Sequence, residues 1–111
     1  MWFQSDVLRI SEAAANDTGL SDEVILSICH IAEEFGIKKL ILFGSRARGD
    51  YSRASDIDLA ASGNDIGLFH TELEERVPTL LTFDVIDLGN KCSEDILKSI
   101  NEEGIVFYEE I

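Results

Sequence analysis

Asp56 and Asp58 flank Ile57 in the stretch Asp56-Ile57-Asp58-Leu59-Ala60, where polar and apolar residues alternate as they do along a half-buried strand. The pleat of such a strand puts both acids on one face and Ile57 and Leu59 on the other. Two carboxylates this close repel unless a cation sits between them, and a pair of hard divalent cations shared with phosphate oxygens is the usual solution. Ten residues upstream lies Gly44-Ser45, directly after the apolar run Lys39-Leu40-Ile41-Leu42-Phe43, which reads as a buried strand entering a tight turn. Gly44 lets a phosphate approach the backbone without a Cβ in the way, and Ser45 offers its amide and its hydroxyl. Arg46 and Arg48 carry guanidinium groups suited to gripping the β- and γ-phosphates. Metal-assisted nucleotide chemistry is the reading these residues support.

Several elements must hold that constellation in place. Ser21 can cap a helix whose apolar positions Val24, Ile28, Ile31, Ala32 and Phe35 share one side, with Gly36 as its stop. Asp65 to Val77 reads as a second helix, with Ile66, Phe69, Leu73 and Val77 inward and Pro78 beyond its end. Leu81 to Asp87 reads as a strand. Ser93 caps a further helix carrying Ile96, Leu97 and Ile100, closed by Gly104, and Ile105-Val106-Phe107-Tyr108 forms a last strand. Residues 5–15 could make a short helix, broken by Asn16-Asp17-Thr18-Gly19. Alternating helices and strands in this order predict an α/β (α+β) domain, a small mixed β-sheet with helices packed mainly on one side. The expected division is an N-terminal extension at 1–20 and one domain at 21–111.

At 111 residues the chain has room for one hydrophobic core but not for a catalytic domain plus a separate substrate domain. No apolar stretch approaches a membrane span, and the start lacks a secretory signal pattern, so a cytoplasmic protein with no membrane partner is expected. Cys29 and Cys92 have no paired spacing and predict neither a disulfide framework nor a zinc site. A formal net charge of −13 argues against direct nucleic-acid binding. The charge is uneven, because residues 38–53 hold five of the nine basic residues (Lys38, Lys39, Arg46, Arg48 and Arg53) and only one acid, Asp50. A positive island of +4 in a remainder of −17 suits a small polyanion such as a nucleoside triphosphate. His30 and His70 read as ordinary helix-surface residues. Trp2 and Phe3, apolar at a polar terminus, read equally as residues covered by a self-contact in a homo-oligomer or by a partner, or as part of a disordered tail.

Gly-Ser, ten residues and Asp-x-Asp together resemble the signature of the nucleotidyltransferase superfamily related to DNA polymerase beta, most closely its minimal prokaryotic members, the MNT domains of MntA-like antitoxins. The resemblance spans roughly Ser21 to Tyr108 and implies the nucleotidyltransferase fold. It also implies that an acceptor hydroxyl attacks the α-phosphate of a nucleoside triphosphate, ATP above all, with two Mg²⁺ ions held by Asp56, Asp58 and a third acid. Asp84 and Asp87 compete for that third position and cannot both fill it, because three residues apart on a strand puts them on opposite faces. Asp84 is the choice. It lies mid-strand between Phe83 and Val85, where an unpaired charge would cost several kcal/mol and so demands a cation or strong hydrogen bonds. The family's third acid falls at the same position.

Small proteins of this family pair with HEPN-domain ribonucleases, and some silence the ribonuclease by adding AMP to a tyrosine. The resemblance therefore implies an adenylylating antitoxin with a HEPN partner. The main rival is a non-catalytic antitoxin or regulatory module that binds through shape and acidic charge, its nucleotide site vestigial. Three acids aimed at one point count against it, since their repulsion is costly without metal. Aminoglycoside nucleotidyltransferases and Asp-x-Asp glycosyltransferases fit less well, as both need more chain than is present.

Overall fold

Ser21 opens the first helix, α1 (Asp22–Glu34), by accepting the Val24 N–H on its hydroxyl at 3.2 Å, while Asp22 and Glu23 place negative charge against the positive end of the helix dipole. Val24, Ile25, Ile28, Ile31 and Ala32 face inward and are buried. Gly36, at φ +71°, supplies the left-handed residue that ends the helix. The computed structural model describes residues 18–110. The helix expected over residues 5–15 and the aromatic pair Trp2 and Phe3 lie outside the described residues.

After α1 come β1 (Ile37–Phe43), a single turn of helix α2 (Ser45–Arg48), β2 (Ile57–Gly63), α3 (Ile66–Arg76), β3 (Phe83–Asp87), α4 (Glu94–Glu103) and β4 (Ile105–Glu109). Asp65 caps α3 by accepting the Leu68 N–H, and Ser93 caps α4 by accepting the Ile96 N–H. Some ends differ from expectation. β1 starts earlier, at Ile37, because Gly36 turns the chain straight into the sheet. β3 starts later, at Phe83, because the Thr79 hydroxyl takes the Leu81 N–H and holds that stretch in a turn.

The four strands form one mixed sheet in the order β3-β2-β1-β4. β1 runs antiparallel to β2 and β4, and β2 runs parallel to β3, with α3 as the crossover. One face packs on α1 and α3 through Leu40 and Leu42 of β1, Ile57, Leu59 and Ala61 of β2, Phe83 of β3, Phe107 of β4 and Phe69 and Leu73 of α3. Phe69 is fully buried there, worth about 3 kcal/mol in transfer from water. Among the described residues, α4 is the helix on the other face, where Ile100 and Ile96 cover Phe43, Ala60, Ile41 and Ile86. Two helices on one face and one on the other make the α/β arrangement that the element order predicts.

Cys29 sits inside the core, where its thiol donates to the Phe107 carbonyl at 3.2 Å and burial pushes its pKa up to about 12. Both cysteines are free. Among the described residues no helix is long and apolar enough to cross a membrane.

Candidate active site

Sheet register decides which side chains meet. Phe43 pairs with Asp58 and Asp58 with Asp84, so one row across β1, β2 and β3 reads Phe43, Asp58, Asp84 on a single face. The next row along that face is Ile41, Ala60, Ile86, and this is the row that α4 covers. Coverage therefore stops one row short of the two acids. Asp58 is half-buried between the covered and open rows, whereas Asp84 is exposed. The expected burial of Asp84 does not occur. Among the described residues β3 is an edge strand with β2 on one side, and the desolvation cost inferred from the apolar neighbours of Asp84 does not arise, since Phe83 points to the opposite face.

Asp87 pairs with Ala61, which belongs to the face under α1 and α3, and its Oδ1 accepts the Gly89 N–H at 2.8 Å. Asp87 thus lies on the opposite side of the sheet from Asp84. Asp56 precedes β2 rather than belonging to it and is exposed, so the pleat does not fix its direction. It still acts on its neighbour. The Asp58 carboxyl is held above its ordinary value first by burial, then by the charges of Asp84 and Asp56, with Arg48 pulling the other way. Those three acids and Arg48 share one local field.

Gly44 stands at φ +78°, a conformation open to glycine, and a Cβ built there would collide with Oδ2 of Asp58. The turn after β1 is thus moulded against the central acid. Ser45 follows at once as the first residue of α2, and its carbonyl accepts the Gly49 N–H at 2.9 Å to close the turn.

The two arginines part company. Arg46 is buried, 2% exposed, and its guanidinium donates to three carbonyls: Nε to Ser55 at 3.1 Å, Nη1 to Thr18 at 2.9 Å and Nη2 to Arg53 at 3.3 Å. It also lies over the Tyr51 ring, 4.9 Å from its centre. With all three nitrogens engaged, Arg46 braces the loop between α2 and β2 instead of reaching the acids, which corrects its expected phosphate role. Arg48 is exposed and bonds Asp50 Oδ2 at 3.1 Å and Glu103 Oε1 at 3.2 Å, which ties α2 to the end of α4 beside the site. Lys39 lies toward the other end of β1 and pairs with Glu109 at 3.7 Å, so the basic residues of the sequence island do not gather in one place.

Among the described residues, no three His, Cys, Asp or Glu side chains form a ready-made metal cage. The donors nevertheless suit Mg²⁺, which takes one or two carboxylates and completes its shell with water and substrate phosphates. Asp58 and Asp84 offer hard oxygens from adjoining strands, and a cation between them would favour the ionised Asp58 carboxyl, which burial first and the neighbouring charges second now disfavour. A surface cavity of about 640 Å³ lies along α1 and the end of α3, and another of about 530 Å³ lies beside Tyr51 and Leu80; neither is lined by these acids. Among the described residues, the acids thus stand on an open sheet face.

Residues 26–110 match the family described as Polymerase beta, Nucleotidyltransferase. An inferred protein adenylyltransferase of Methanocaldococcus jannaschii is 41% identical over 81 residues, covering 65% of this chain and 79% of that protein. Three solved structures share the fold. A toxin–antitoxin complex with AMP-PNP gives a TM-score of 0.63 at 20% identity, over 78% of this chain and 73% of the other. A nucleotidyltransferase, so inferred, from Sulfolobus solfataricus gives 0.53 at 20%, over 90% and 87%. A tri-AMPylated Shewanella oneidensis HEPN toxin in complex with MNT antitoxin gives 0.57 at 17%, over 78% and 71%. The sequence match across the sheet, the Gly44 turn and the paired acids, joined to the common fold, places this chain in the polymerase beta nucleotidyltransferase family.

Proposed function

We propose that this protein is a Mg²⁺-dependent protein adenylyltransferase that moves AMP from ATP to a hydroxyl on a HEPN-domain partner and acts as the antitoxin of that ribonuclease. The observation that carries the reading is the in-register pair of Asp58 and Asp84 on an open row, with Gly44 moulded against the first. Support comes from the Methanocaldococcus relative, inferred to be a protein adenylyltransferase, and from two solved neighbours, one holding AMP-PNP and the other a tri-AMPylated HEPN toxin. A cytoplasmic setting, where ATP is supplied, goes with this reading.

In the proposed reaction the acceptor oxygen forms a bond to the α-phosphorus, the bond from that phosphorus to the β-bridging oxygen breaks, and pyrophosphate leaves. Asp56, Asp58 and Asp84 would hold Mg²⁺, which would offset charge on the triphosphate. Asp84 takes the proton of the acceptor hydroxyl, a role open to it because it is the exposed member of the row. The Gly44-Ser45 turn receives the phosphates on backbone and hydroxyl donors. Arg48 exchanges its carboxylate partners for phosphate oxygens, a trade of one charged acceptor for another at short range. The open face leaves room for an acceptor delivered by a second protein.

The test is transfer of label from α-labelled ATP to a HEPN partner with Mg²⁺ present. We expect labelled partner and loss of its ribonuclease activity, both abolished in Asp58→Asn and Asp84→Asn. Inhibition by these variants equal to wild type, without label, would assign the protein to the binding-module class instead.

A further inference from the structure

Asp84 owes its place to a strand of five residues that, among the described residues, has β2 on one side and no strand on the other. In a parallel ladder the bonding groups alternate sides. Thr82 turns its carbonyl toward β2, where it accepts the Ile57 N–H at 2.9 Å, and Phe83 consequently turns its own N–H and C=O to the outer edge. These outward groups are engaged. Oε2 of Glu74 accepts the Phe83 N–H at 3.1 Å, and Nε2 of His70 lies 3.0 Å from the Phe83 carbonyl oxygen, a hydrogen bond that requires Nε2 to carry its proton and donate. The same nitrogen is 3.5 Å from Oε2 of Glu74, so donor and acceptor are also held against each other.

His70 and Glu74 are four residues apart on α3, one above the other on the same side of that helix. Phe69 and Leu73, both fully buried, anchor α3 to the core next to them. Two side chains of a fixed helix thus replace the two backbone bonds that a fifth strand would make. The Phe83 N–H belongs to the peptide plane before its Cα, and the Phe83 C=O belongs to the plane after it. Gripping both fixes φ and ψ of Phe83, and the second plane is the one that carries the Cα of Asp84. A turn of that plane would swing the Asp84 carboxylate away from Asp58.

We infer that His70 and Glu74 are positioning residues, a two-point clip on the outer edge of β3 that fixes where Asp84 stands beside Asp58. The inference rests on the transferase reading for its effect on turnover, while the clip itself is independent of that reading. His70 is therefore more than the helix-surface residue that its spacing suggests.

Nucleotide transfer by Glu74→Ala, His70→Ala and Glu74→Gln, compared with wild type below their unfolding temperatures, tests this. Glu74→Gln keeps a carbonyl oxygen for the Phe83 N–H. Expected are kcat losses of about tenfold or more in the two alanine variants with the KM for ATP within about twofold, since Gly44, Ser45 and Asp58 are untouched, and recovery of most of the loss in Glu74→Gln. Wild-type kcat in both alanine variants, or an equal loss in Glu74→Gln, overturns the inference. A second measurement, by NMR, reads amide exchange of Phe83 and the NOEs between Asp58 and Asp84 in the same proteins. Faster exchange and weakened NOEs in the alanine variants support the clip, and unchanged values overturn it. Absence of any transfer by wild type would sink the transferase reading alone, and the NMR comparison would then decide the clip.

Discussion

Asp58 and Asp84 occupy one register position across the parallel strands β2 and β3, and after burial the charge of Asp84 is the next cause that holds the Asp58 carboxyl above its ordinary value. A fold keeps such a pair at a thermodynamic cost, and the cost gives a measurable signature.

Because the folded pKa of Asp58 lies above its unfolded value of 3.8, the folded state holds that proton longer. Stability from this group is present when it is protonated and is lost as the pH rises from about 3.8 through the raised value. Glu34 and Glu103 behave oppositely, since hydrogen bonds from Arg76 and from Ser99 respectively lower their pKa, so their contribution disappears as acid protonates them. Comparing Asp58→Asn with wild type cancels those two. In a metal chelator we expect the variant to unfold at or above the wild-type temperature at pH 7, with the difference shrinking towards pH 4. Thermal melts at a series of pH values check this.

Gly44→Ala should damage both fold and chemistry. A left-handed φ strains alanine, and the new methyl would meet the Asp58 carboxylate, so a loss of more than about 1 kcal/mol is expected by denaturant titration. Transfer activity should fall by roughly 100-fold or more even where the variant is folded, because Asp58 must move to admit the methyl group.

Arg46 and Arg48 should respond in opposite ways. Arg46→Ala leaves the carbonyls of Thr18, Arg53 and Ser55 without their donor and should destabilise the protein by about 3 kcal/mol, with Arg46→Lys recovering only part, since an ammonium cannot span three acceptors in the guanidinium's geometry. Arg48→Ala removes exposed ion pairs and should change stability by less than about 1 kcal/mol. Its expected effect is on substrate, a rise in the KM for ATP of roughly tenfold. Denaturant titration beside steady-state kinetics separates the two.

The helix caps and the two faces of β3 were legible in the sequence, whereas contacts made between elements were not. Ser21, Asp65 and Ser93 each cap a helix through a hydrogen bond to the third residue on, a relation contained within one turn. Alternation placed Asp84 and Asp87 on opposite faces, because a pleat is also local. Exposure of Asp84 depends on strand order, which its neighbours Phe83 and Val85 do not encode. For Arg46, the inward direction depends on carbonyls of Thr18, Arg53 and Ser55 that fold up to it, and an arginine beside Gly-Ser reads alike whether it points in or out. His70 escaped for the same reason: its partner, Phe83, lies across α3 and β3 rather than along the helix.

Calorimetric binding of a non-hydrolysable ATP analogue, with and without Mg²⁺, to wild type, Asp58→Asn and Asp84→Asn tests most directly whether these acids form a metal–nucleotide site. Mg²⁺ is expected to tighten binding to wild type at least tenfold, and either substitution to remove most of that gain. Binding of equal strength with and without Mg²⁺, or an undiminished Mg²⁺ gain in both variants, would contradict it.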